Sequence, residues 1–321
     1  MNSSKNIVIF LILASHFLFI AFHFFSYAAD IEAPKMEIID SIEGRLTVFP
    51  QGIIITDKDT KITGKYATFY ERDNRAEIYD SVLIENPQFT INADTVFYSF
   101  REKTSRLRGN VIVESETLRI ETASLIFEQS PNIVTAPTDV KIREKKQRLT
   151  ILGKKGMFNF SDDNGMVDSE PVLYIERDDT TVVRSRQMIL ENRQSRFIAI
   201  NDVSVQTRQT ILTCDTLVFY TNQDYGIAQG NPRITEKENL LAGNTIEFYF
   251  IESAQSGHTA LSHIKVQEQA HATYLTQDGG LLKVHGNEFF VYYEDGEIRQ
   301  VNVFSDSLAY VTGTFTPKQE L

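Results

Sequence analysis

A pattern about 29 residues long recurs through most of this chain, and it constrains the fold more than any other feature. A clear copy reads Ile91-Asn92-Ala93-Asp94-Thr95-Val96-Phe97-Tyr98 and, after a turn, Arg106-Leu107-Arg108-Gly109-Asn110-Val111-Ile112-Val113. Small residues anchor the copies: Gly64, Ala93, Thr122, Gly153, Ser185, Cys214, Gly243 and Gly286, spaced 29, 29, 31, 32, 29, 29 and 43 apart. Two positions before each anchor stands Ile62, Ile91, Ile120, Ile151, Val183, Leu212, Leu241 or Val284. Five positions after it stands Phe69, Tyr98, Phe127, Phe158, Leu190, Phe219, Phe248 or Val291. Seventeen positions past the first six anchors the residue is polar (Ser81, Asn110, Asp139, Glu170, Asp202, Asn231), and Val or Pro follows it directly. Columns that agree over so many copies describe stacked units, none of which can bury its apolar face alone.

Within a copy the signals are those of strands. Runs rich in Ile, Val, Thr, Phe and Tyr alternate with charged residues, and helical periodicity is missing. Turn formers separate the runs: Arg72-Asp73-Asn74, Ser130-Pro131-Asn132, Asn222-Gln223-Asp224, Asn164-Gly165 and Asp295-Gly296. The last two are dipeptides that a type I′ hairpin turn favours, because its central residues need positive φ. Each copy thus supplies two strands, and eight to nine copies from about Met36 supply 16 or more. Apolar residues lie at even offsets before the anchor and at odd offsets after it (Val96, Tyr98), then return to even offsets in the second strand (Leu107, Val111). A phase change of that kind marks a bulge or sharp bend, since one extra residue swaps the faces. The small column therefore marks the kink itself, letting a long sheet curl around its apolar face; the alternative is room made for an aromatic neighbour.

Composition narrows the partners. The formal net charge is −11, with no basic stripe, which argues against nucleic acid. Cys214, the single cysteine, has no disulfide partner and occupies the small-residue column. Lys5 precedes an apolar run, Ile7 to Phe25, that ends in Ser26-Tyr27-Ala28-Ala29-Asp30, a small-x-small cleavage pattern. That run is also long enough to span a bilayer, so residues 1–29 are a signal peptide or a membrane-anchoring leader helix, and the rest is exported. The array occupies residues 30–315, divisible into segments 36–150 and 151–315, with a tail at 316–321. Between Phe250 and Gly286 about 14 residues are added, including Ser256-Gly257-His258 and Gly279-Gly280, as expected of an atypical terminal repeat.

No enzyme is expected. Nucleophile elbow, phosphate loop, dinucleotide fingerprint, H-E-x-x-H and C-x-x-C are all missing. His258, His263, His271 and His285 cluster late in the chain at spacings that match no ligand set, so neither metal nor cofactor is expected. Asp94, Asp215, Asn244 and Asn287 recur one position past their anchors, in a column that elsewhere holds Lys65, Lys154 or Arg186. A column that tolerates both charges is structural habit, not catalysis.

Units of the form I-x-A-D-x-a-x-Y … L-x-G-N-V-x-V resemble the OstA-like repeats of the lipopolysaccharide transport family. The match is sharpest at Ile91 to Val111 and recurs at Thr213-Cys214-Asp215 through Gly230-Asn231-Pro232, covering about residues 36–312. The resemblance implies an antiparallel β-jellyroll, two sheets folded like a taco, whose groove holds the acyl chains of lipopolysaccharide or a related glycolipid. It further implies a place in the periplasm of a Gram-negative bacterium, with jellyrolls joining edge to edge into a bridge. Ile62, Ile91, Val96, Tyr98, Ile120, Leu125, Phe127, Leu212, Leu217, Phe219 and Phe248 are the expected groove lining. Lys154, Lys155, Arg184 and Arg186 are candidates for lipid phosphates at the rim. Eight or nine strands per sheet, about 4.8 Å apart, give a trough of roughly 40 Å, too short to cross a periplasm without partner jellyrolls, and a retained leader would add the inner membrane as a partner. The competing reading is a closed β-solenoid with a structural or adhesive role, whose coils would be parallel.

Overall fold

The computed structural model describes residues 29–41, 44–145, 149–176, 180–207, 210–252, 259–275, 280–294, 297–305 and 310–313. The leader, Asp295-Gly296, His258 and the tail fall outside these residues. Among those described, regular structure is strand throughout apart from one 3-10 turn at Asn192–Gln194, and the pairings are antiparallel. The chain is therefore an antiparallel jellyroll, and the solenoid reading, which requires parallel coils, is set aside. Two compact units form, Met1–Pro137 and Thr138–Leu321.

In the first unit the strands lengthen to Arg75–Asn86, Phe89–Ser99, Thr104–Ser115 and Leu118–Glu128, each paired with the next. Every one slips register near its middle. Tyr79 pairs with Thr95 but Val82 with Ala93, so two residues, Asp80 and Ser81, face the single Asp94. That is a bulge, and its extra residue bends the strand. Both Asp80 (φ 64°) and Ser81 (φ 57°) are left-handed, as are Gly109 (φ 74°) and Asn110 (φ 44°) one period later. In the second unit the same double conformation recurs at Ser169-Glu170, Asn201-Asp202, Gly230-Asn231 and Glu268-Gln269.

This corrects where the kink lies. It falls 16 and 17 residues past the anchor at five of these six places, and 25 and 26 past Gly243 at Glu268-Gln269, not at the small residue. The small residue makes room, and the neighbour it accommodates is aliphatic. A Cβ on Gly64 would lie 2.2 Å from Ile78 Cγ2, one on Gly153 2.2 Å from Val167 Cγ1, and one on Gly243 2.6 Å from Val266 Cγ1. Polar side chains then bridge the kink, joining the residue after an anchor to the residue 16 beyond that anchor. Lys65 Nζ donates to Asp80 at 3.0 Å, Asn110 Nδ2 to Asp94 at 3.0 Å and Arg186 Nε to Asp202 at 2.5 Å; the last two pairs run one residue further.

The turns also differ from the expected type. Tyr70 pairs with Arg75, Ser99 with Thr104, Glu128 with Ile133, Asn159 with Asn164 and Tyr220 with Tyr225. These are four-residue loops whose last residue is left-handed: Asn74, Lys103, Asn132, Asp163 and Asp224. Asn164 and Gly165 are already strand. Gly165 is needed there because a Cβ would come within 2.6 Å of Phe158 Cδ2. Asp295-Gly296 lies outside the described residues.

Candidate functional site

In the first unit, two inward rows run across the strands. One passes Ile55, Ile62, Ile84, Ile91, Val113 and Ile120, each paired with the next. The other passes Phe69, Ala76, Tyr98, Ser105, Phe127 and Val134, large alternating with small. Both rows are buried. Burying each large side chain stabilises the fold by about 1.5–3 kcal/mol, the chief force holding the rows together.

The two rows meet face to face because the strands fold double at their bulges. On a flat sheet Phe89 and Phe127, nine residues apart along the strand direction, would stand roughly 30 Å from one another. Their ring centroids are 5.3 Å apart, edge to face. The ends of the two half-sheets thus close over an apolar interior, and the closure along that side is made by side chains alone.

That closure, the mouth of the interior, is polar. Lys103 Nζ donates to both oxygens of Asp57 at 2.8 Å, and Tyr98 Oη donates to Asp57 Oδ2 at 2.9 Å. Asp57 sits in the turn of one half-sheet, while Lys103 and Tyr98 sit at the free end of the other. Asp57 is only 3% exposed. Burial, reinforced by the Asp57 charge, drives the Tyr98 phenol well above its ordinary pKa. Asn132 Nδ2 makes a second bridge, to Gln88 Oε1. The second unit has a related contact: burial, then the nearby Glu236, pushes the Tyr293 phenol up to about 12.

All the expected lining residues lie on inner faces. Ile62, Ile91, Val96, Tyr98, Ile120, Leu125 and Phe127 are buried in the first unit, and Leu212 and Leu217 in the second. Phe219 and Phe248 are half-buried and lean over Gly226, which pairs with both. Tyr98 is more than lining, since its hydroxyl binds Asp57. Lys154, Lys155, Arg184 and Arg186 are exposed. Arg186 holds Asp202, the kink-bridging pair already described, and Lys154 reaches Glu170 at 3.6 Å in the same way. Sequence reasoning missed Asp57 and Lys103 altogether; the one available signal was a lysine where neighbouring copies of the turn carry Asn or Asp.

The histidines serve the outer face of the second unit. His263 stacks on Tyr249 at 4.2 Å and faces Tyr292 at 5.7 Å, extending a ladder that includes Tyr220 and Tyr225. His271 stacks on His285 at 6.0 Å. Among the described residues, no group of three or more His, Cys, Asp or Glu is placed to hold a metal ion.

Residues 90–254, just over half of the chain, match the family described as LptA/(LptD N-terminal domain) LPS transport protein. The chain belongs to that family. No curated protein matches it. Among solved structures it is similar to LptH, the LptA homologous periplasmic component of the lipopolysaccharide transport device from Pseudomonas aeruginosa. That likeness covers 46% of this chain and 92% of LptH at 12% identity, with a TM-score of 0.23, too low to equate the two folds.

Proposed function

We propose that this LptA/LptD N-terminal family member is a periplasmic, non-enzymatic carrier of lipopolysaccharide, holding acyl chains between the two inner faces. The observation that carries the reading is the interior itself: two buried rows, apolar apart from Ser105 and the Tyr98 hydroxyl, closed along one side by side-chain contacts. Lipid entry needs those contacts to part, with no loss of ladder hydrogen bonds. Ile62, Ile91, Val96, Ile120, Leu125 and Phe127 would then meet acyl chains in the first unit, as would Leu212, Leu217, Phe219 and Phe248 in the second. Photocrosslinking in cells tests this, with a photoreactive residue at Phe127 or Phe219 and Glu121, on the outer face, as control. Lipopolysaccharide adducts at the first two positions and none at the third are expected. Adducts at none of them, in a folded and exported chain, would mean a sealed core.

The same reading makes the chain one link of a bridge. Strand Glu37–Ser41 pairs with Gly44–Phe49, and strand Glu297–Phe304 with Leu281–Glu294; each leaves its other edge unpaired among the described residues. Neighbouring residues of a strand point to opposite faces. Yet Ile38 and Ile39 are 55% and 46% exposed, and Ile298 and Phe304 are 55% and 52% exposed. Apolar edges of this kind suit strand addition by another jellyroll.

A further inference from the structure

We propose that the mouth of the first unit is an anion site built around Lys103, that Asp57 fills it while the groove is closed, and that a lipid-borne phosphate replaces Asp57 when chains enter. The inference rests on the carrier reading and adds to it the headgroup contact.

Hydrogen-bond arithmetic at the mouth supports it. Four donors converge there: the Lys103 ammonium, the Tyr98 hydroxyl, the Ser105 hydroxyl and the Gln129 amide. Ser105 pairs with both Tyr98 and Phe127, and Gln129 Oε1 lies 3.5 Å from Tyr98 Oη. Against these donors stand one carboxylate and two amide oxygens, Gln129 Oε1 and Asn132 Oδ1, the second of which is itself without a partner. Asp57 satisfies Lys103 and Tyr98, whereas Ser105 Oγ, fully buried, and Gln129 Nε2 are left with no partner. Leaving a buried donor without an acceptor destabilises the closed state. The site holds more donors than its resident acceptor can use, and a phosphate offers more oxygens than a carboxylate.

Lys103 itself is the second observation. It takes the left-handed position of its turn at φ 52°, where the corresponding turns place Asn74, Asn132, Asp163 and Asp224. Asn and Asp tolerate that conformation, whereas a long side chain adopts it only at a cost. An ion pair with one buried member is weak compensation, because drying Asp57 offsets much of its attraction to the part-exposed Lys103. The third observation is topological. Asp57 and Lys103 belong to opposite half-sheets, so parting the mouth separates them and leaves the cation facing the opening.

The test uses the full chain, recovered from whichever fraction of the cell envelope holds it. Three probes are titrated: purified lipopolysaccharide, the same material stripped of phosphate, and inorganic phosphate alone. The wild type should prefer the phosphorylated lipid. Lys103→Gln should lose about tenfold in affinity for that lipid and little for the stripped form, the size of one charge-assisted hydrogen bond, and Lys103→Arg should keep the preference. Asp57→Asn should bind the phosphorylated lipid more tightly, a gain that misfolding cannot imitate. If both variants leave both affinities unchanged, the anion site is refuted and the carrier reading survives. If the wild type binds neither lipid, the carrier reading fails first. Tight binding of inorganic phosphate, lost in Lys103→Gln, with no preference between the lipids, would assign the site to a soluble anion and overturn the lipid-borne source.

Discussion

Gly64 shows how little slack a single position has in this fold. Its missing Cβ is space that Ile78 Cγ2 occupies, so Gly64→Ala should destabilise the first unit by about 1–3 kcal/mol, as overpacking does elsewhere. Adding Ile78→Ala should recover part of the loss, read as coupling in a double-mutant cycle of denaturant midpoints; strictly additive effects would disprove the contact. Cys214 fills the equivalent place in the second unit and is 6% exposed. Burial, then the neighbouring Asp215, pushes its thiol up to about 12. An alkylating reagent at pH 8 should therefore leave the native chain unlabelled and label it promptly in denaturant. Labelling of the native chain at a free-thiol rate would show that the anchor column is exposed. The small column was legible in the sequence because it recurs, but its reason was not, since the occupant of the space sits 14 residues beyond Gly64 and Gly153 and 23 beyond Gly243.

At the scale of the strand and the turn, the recurring kinks were legible as a change of phase and were placed one strand too early. Phase tells that one extra residue is present, not which strand carries it. The hairpin turns were misread for a different reason. Asn164-Gly165 has a strong local preference, but the Phe158 ring claims the glycine and shifts the turn back onto Asp163. The Asp57–Lys103 contact was invisible, because it joins residues 46 apart that belong to no shared column. The kinks invite a test: Gly230 is left-handed at φ 77°, and a Cβ there would stand 2.5 Å from that of Asp215. Gly230→Ala should cost at least about 1 kcal/mol in unfolding free energy, and an unchanged midpoint would contradict the kink. The ring ladder gives a pH prediction. Burial lowers the His263 pKa below the ordinary value of about 6.5, so the unfolded chain binds the proton more readily than the folded one. Its contribution to stability is full above about 6.5 and falls as the pH drops through that value. Urea midpoints of the wild type should decline between pH 7.5 and 5.5 more steeply than those of His263→Phe, which keeps a ring between Tyr249 and Tyr292. Equal slopes would remove His263 from the account.

For the molecule as a whole, the edges decide whether the chain acts singly. Ile39→Lys and Val301→Lys place charge on the two unpaired edge strands without touching the buried rows, and each should weaken end-to-end association on its own side. Sedimentation over a range of concentrations would show it, and unchanged association in both would mean that the edges are not the joints. The kink pairs carry a further consequence. Lys65 answers Asp80, Lys154 answers Glu170 and Arg186 answers Asp202, always inside one period. At the kinks each period therefore settles its own charges, and loss or duplication of a whole period strands no ion there; the Asp57–Lys103 pair, which spans periods, is the exception. Length becomes something that can be inherited in whole steps, so that lineages with wider or narrower gaps to cross can be served by adding or dropping copies while the chemistry of every copy stays the same.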